Sequence, residues 1–184
     1  MSEQVHKQLI EAAIFALAKP VSISNLQQTV LASYQLKKDH IRTLVNAIAS
    51  DYEDRGVVLL ETASGYQFVT RASLSEQLAC LWQEKAPRYS KALLETLAIV
   101  AYRQPITRGE IEHIRGVAVS SHIIKTLTER QWIKVVGQKD VPGKPSLYGS
   151  TKEFLDYFGL ATLSELPTLK ENKLEEAISV FEQQ

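Results

Sequence analysis

Cysteine is nearly missing from this chain: Cys80 stands alone among 184 residues, which excludes an internal disulfide and a thiolate metal cluster within one chain. A charge of one sign is missing too, since 21 basic side chains face 21 acidic ones. No stretch approaches the roughly 20 apolar residues that a membrane-spanning helix requires. The start, Ser2 to Lys7, has no basic region feeding an apolar run, so a soluble, cytoplasmic chain without membrane contact is expected. Histidine is scarce, and His6, His40, His113 and His122 show no HExxH spacing. His40 and His122, both near the start of a third helix, read as surface or structural residues rather than metal ligands.

The local signatures of catalysis are also missing. Gly137 to Lys144 contains two glycines and a lysine but is no phosphate loop. Five residues separate Gly137 from Gly143 where such a loop has four, and Pro145 occupies the place of the magnesium-binding Ser or Thr. No GxSxG elbow occurs, so Ser64 and Ser121 read as a turn residue and a helix-start residue. The expectation is a protein that is not an enzyme and has no cofactor, no metal and no small-molecule substrate.

What the chain does contain is a repeat. The run from Ala13 through Leu17 and Pro20 to Ser22 returns as Ala98 through Tyr102 and Pro105 to Thr107. Each time an apolar helix stops at proline, a β-branched residue follows, and a Ser or Thr opens a second helix. Recurrence at domain-scale separation points to two copies of one small module.

Helical spacing predicts a helix over 4–18, a short one capped by Ser24 and carrying Leu26 and Val30, and a third over 38–52 with Ile41, Leu44, Val45 and Ile48 on one face. Val57 to Leu60 and Tyr66 to Val69 then read as a hairpin. The second module repeats the order, with helices over 91–102, 107–115 and 120–130. Gly116 is a C-terminal cap, and a wing runs out from Trp132 to Val136 and back through Ser146, Leu147 and Tyr148. Val141-Pro142-Gly143-Lys144 at its tip has the residues of a type II turn. Three helices and a hairpin make a winged helix, so the expected fold is mostly α with small β-hairpins (α+β): two tandem winged-helix domains over 1–86 and 87–160. Leu74, Leu78, Leu81 and Trp82 suggest a linking helix, and 161–184 form an acidic tail in which Leu174, Ile178 and Phe181 fall at i, i+4 and i+7.

The balanced charge is unevenly spread. Residues 1–84 carry seven basic and nine acidic groups, 85–152 carry twelve and five, and 153–184 carry two and seven. The second module is therefore basic and its tail acidic. A tandem DNA-binding transcriptional regulator would need a basic recognition helix in both modules. The region from Lys37 to Arg55 is neutral, with four basic and four acidic residues. Only the second wing, from Lys134 to Lys152, is suited to weak, non-specific phosphate contact.

Leu94 to Arg108, with its Leu-Glu-Thr-Leu-Ala-Ile-Val-Ala-Tyr-Arg-Gln-Pro-Ile-Thr-Arg run, closely resembles the bacterial segregation and condensation protein B family. So do Ile114 to Val117, the wing from Lys139 to Gly149, Phe154 to Pro167, and Gly65 to Arg71 of the first wing. Gln131-Trp132 departs from it, replacing a glycine-containing turn. The resemblance implies a non-enzymatic subunit of the bacterial SMC condensin complex, acting in chromosome condensation and segregation on the nucleoid. It implies a homodimer that binds the kleisin subunit, segregation and condensation protein A, and through it the SMC ATPase. On this reading the neutral first module dimerises and the second engages the kleisin, with Arg103, Gln104, Arg115, Lys144 and Tyr148 as the contact residues and Tyr102 packed inward.

Overall fold

The computed structural model describes residues 3–81 and 89–167. The chain divides into two compact units, Met1–Lys85 and Ala86–Gln184, each with its own core and its own small antiparallel sheet. The architecture is mixed α+β, with eight α-helices and five strands among the described residues.

In the first unit, α1 (Glu3–Leu17) buries Ile10 and Ile14, and α3 (Lys38–Asp51) buries Ile41, Leu44, Val45 and Ile48. The two helices close over α2 (Ile23–Gln28), whose Leu26 is fully buried. The cap of α2 is Ser22, two residues earlier than the spacing suggests: its side chain accepts from the Asn25 N–H at 3.1 Å. The cause is Val21, which pairs with Tyr66 by two backbone hydrogen bonds of 2.9 and 3.0 Å. That pairing holds the chain extended up to Ser22, the backbone state an N-cap needs. Val30 consequently lies in the turn beyond the helix.

Strands β1 (Val57–Thr62) and β2 (Gly65–Thr70) pair in register from Val57–Thr70 to Thr62–Gly65, leaving a two-residue turn at Ala63-Ser64. Gly65 adopts φ +142°, and a Cβ there would sit 2.3 Å from the Val21 carbonyl; the short bridge to Val21 exists because this residue has no side chain. After β2 the expected linking helix is only one turn, α4 (Ser75–Leu78), between single 3-10 turns at Ala72–Leu74 and Ala79–Leu81. Leu81 is 68% exposed, so it adds little apolar burial to this segment. Trp82 lies outside the described residues.

The second unit runs α5 (Lys91–Arg103), β3 (Ile106–Thr107), α6 (Arg108–Arg115), α7 (Ser121–Glu129), β4 (Ile133–Gln138), β5 (Ser146–Ser150) and α8 (Lys152–Tyr157). Its sheet has the order β3-β5-β4, the winged-helix arrangement in which the first strand joins the wing. Thr107 and Glu110 form a reciprocal capping box, and Gly116 ends α6 in the left-handed conformation at φ +70°. The Lys144 N–H closes the wing turn on the Val141 carbonyl at 2.9 Å, with Gly143 at φ +86°. Gln131 is left-handed at φ +59°, a conformation that glycine adopts at less cost. The core gathers Leu94, Leu97, Ile99, Ile111, Leu127 and Phe154. The apolar spacing of Leu174, Ile178 and Phe181 falls outside the described residues.

Candidate interaction surfaces

The five residues singled out in the second module take two kinds of position. Arg103, at the last turn of α5, is exposed, as is Lys144 at the wing tip. Neither has an acidic partner among the described residues. Tyr148 lies midway along β5 opposite Ile106 and Val135, half-buried against the core.

Gln104 and Arg115 are tied within the module. The Gln104 side chain donates to the Ala101 carbonyl at 3.1 Å and to Ser150 Oγ at 2.9 Å, and its oxygen accepts from the Ser150 N–H at 2.7 Å. It thereby fastens the end of α5 to β5 across the Gln104-Pro105 cis peptide. The Arg115 guanidinium meets Glu95 on α5 at 3.0 Å with its side chain only 6% exposed. Tyr102 packs against the core, and its hydroxyl donates to the Pro167 carbonyl at 2.8 Å. Burial raises its pKa above the usual tyrosine value.

The distribution of ion pairs decides where the positive charge of this module is effective. Of the five acidic residues between 85 and 152, four are paired: Glu95 with Arg115, Glu110 with Lys139, Glu112 with Arg108, and Glu129 with Lys125. On α7, the recognition helix of a DNA reader, Lys125 is thus engaged by Glu129. Lys134, Lys144 and Lys152 are exposed and have no acidic partner among the described residues. Glu110 is held down to about 2, chiefly by the Lys139 ammonium and also by the Thr107 backbone and hydroxyl.

Two apolar surfaces escaped the reading of the sequence. On the first module a groove of about 630 Å3 is lined by Ala13, Ala16, Leu17, Pro20, Val21 and Val30, and Phe15 of the same helix, outside that lining and edge-on to Phe68, is 74% exposed. Its signal is the uninterrupted apolar run from Ala12 to Ala18, since a helix apolar on all sides must be covered on more than one. On the second module Val135 and Val136 are 55% and 49% exposed. Alternation would turn one of two consecutive strand residues inward; the register instead slips between Val135 and Gly137, a bulge at Val136. Among the described residues no cluster of three or more His, Cys, Asp or Glu side chains could hold a metal ion, and no helix is long and apolar enough to cross a membrane.

Two winged-helix modules, one with an exposed apolar groove and one with an unpaired basic wing, define a tandem winged-helix protein built around surfaces. The family model described as "Segregation and condensation complex subunit ScpB" matches residues 8–169, and the chain belongs to that family. The segregation and condensation protein B homolog of Coxiella burnetii is 54% identical over 93% of this chain and 82% of its own. Segregation and condensation protein B of Syntrophotalea carbinolica is 44% identical over 90% and 82%. The crystal structure of ScpB from Mycobacterium tuberculosis is 28% identical, over 87% of this chain and 98% of its own, with a TM-score of 0.40.

Proposed function

We propose that this protein is a non-enzymatic, homodimeric adaptor of the bacterial SMC condensin complex, working on the nucleoid in chromosome condensation and segregation. Its family membership carries the assignment to a segregation and condensation complex. The first module dimerises through the exposed apolar side chains of α1, Leu17 in the groove and Phe15 on the other flank of the helix, where burial gives roughly 25 cal/mol per Å2 before the costs of association. The second module holds the kleisin subunit, which connects it to the SMC ATPase. Arg103 and Lys144 supply unpaired charge for that contact and Tyr148 an aromatic surface, while Gln104 and Arg115 keep the end of α5 and the end of α6 in place.

Weak phosphate contact by the wing, through Lys134 and Lys144, is a subsidiary reading supported by the lack of acidic partners there. A sequence-reading transcriptional regulator is disfavoured, because α7 presents one lysine and Glu129 neutralises it.

The test is a calorimetric titration of this protein with the kleisin subunit of the same bacterium at about 150 mM salt, an ionic strength at which exposed charges are screened within about 8 Å. Saturable binding is expected, weakened about tenfold, or 1.4 kcal/mol, in the Arg103→Glu/Lys144→Glu variant with its unfolding midpoint unchanged. No binding by the unaltered protein contradicts the proposal.

A further inference from the structure

The wing of the second module has a surface that needs a cover. Its strand β4 is the edge of the sheet, and the bulge at Val136 leaves two adjacent valines about half exposed. Lys134 precedes them, and Lys144 follows at the turn, both exposed and without an acidic partner among the described residues. An apolar pair flanked by unpaired cations calls for an occupant that is both apolar and acidic.

The chain itself contains one. Residues 168–184 hold four glutamates, Glu171, Glu175, Glu176 and Glu182, against two lysines. Leu174, Ile178 and Phe181 recur in them at one-face helical spacing. Where this segment begins is also set by the structure: Pro167 is fastened to Tyr102 at the end of α5. Two residues on, Gln104 reaches across Gly149, where an added Cβ would lie 2.9 Å from Gln104 Oε1 and 3.0 Å from Val136 Cγ1. Val136 therefore stands beside the end of α5 from which the segment departs. The seven residues from Pro167 to Leu174 span at most about 25 Å when extended, ample to reach the wing.

We propose that residues 168–184 dock on the β4 face of their own second module, with Leu174, Ile178 and Phe181 over Val135 and Val136 and the glutamates toward Lys134 and Lys144. The segment is then an internal ligand of the wing, and an acidic partner segment must displace it. Docking itself does not depend on what that partner is.

The experiment is zero-length carbodiimide cross-linking of the full chain, read by mass spectrometry on an equal mixture of 14N and 15N protein. Links from Lys134 or Lys144 to Glu171, Glu175, Glu176 or Glu182 are expected within one isotopic chain. Their yield should fall at least fivefold in the Ile178→Ser/Phe181→Ser variant, with its unfolding midpoint unchanged. Hydrogen exchange at Val135 to Gly137 should accelerate in the same variant. The proposal is overturned by the absence of such links, by links only to lysines outside the wing, by links between chains of different isotope, or by an unchanged yield in the variant.

Discussion

At the scale of single residues, the protein separates positions that build the modules from positions that face outward. Gly65 and Gly109 show the difference. Alanine at Gly65 would place its Cβ 2.3 Å from the Val21 carbonyl at a φ of +142°, and a loss of about 3 kcal/mol is expected, the upper range for backbone strain. Alanine at Gly109, in α6 with nothing within 4 Å of its Cβ position, should add about 0.5 to 1 kcal/mol. Urea unfolding of the two variants checks both signs. Gln104 and Arg115 teach a similar lesson. Their chemical type suggested contact, whereas their geometry is internal: one amide is spent on Ser150 and one guanidinium on Glu95. A sequence shows that a residue can hydrogen-bond but not whether a neighbour 46 residues away already occupies it.

At the scale of elements, what was legible was what is locally encoded. α1, α3, α5 and both wings follow from apolar spacing and turn residues, and Thr107 with Glu110 three residues later carries the capping box. The features that escaped depend on long-range pairing. The cap of α2 moved to Ser22 because β2 holds Val21, and the described part of the linking segment is one α-turn, α4, between two 3-10 turns. The ion pair of Lys139 with Glu110 joins the wing to the start of α6, and it has a pH signature. The folded pKa of Glu110, about 2, lies below its ordinary 4.5. Its contribution is therefore complete above about pH 4.5 and is lost as the pH falls toward 2. Urea midpoints of the unaltered protein and of Glu110→Gln should differ by a constant amount at neutral pH and converge between these two values. In Lys139→Met the Glu110 pKa, followed by NMR, should rise but stay below 4.5, because the Thr107 contacts remain.

At the scale of the whole molecule, the two copies of the repeat have diverged. Each keeps the same helix–helix–helix–wing order, yet the first has spent its surface on an apolar groove and the second on unpaired positive charge. That division is the core of the adaptor proposal: one module for a second copy of itself, the other for the kleisin. Light scattering coupled to size-exclusion chromatography tests it most directly, with the unaltered protein beside the Phe15→Asp/Leu17→Asp variant. The account predicts the mass of two 20.6 kDa chains for the first and of one for the second, with helical content retained. A single-chain mass for the unaltered protein, or a variant that still dimerises, would contradict it.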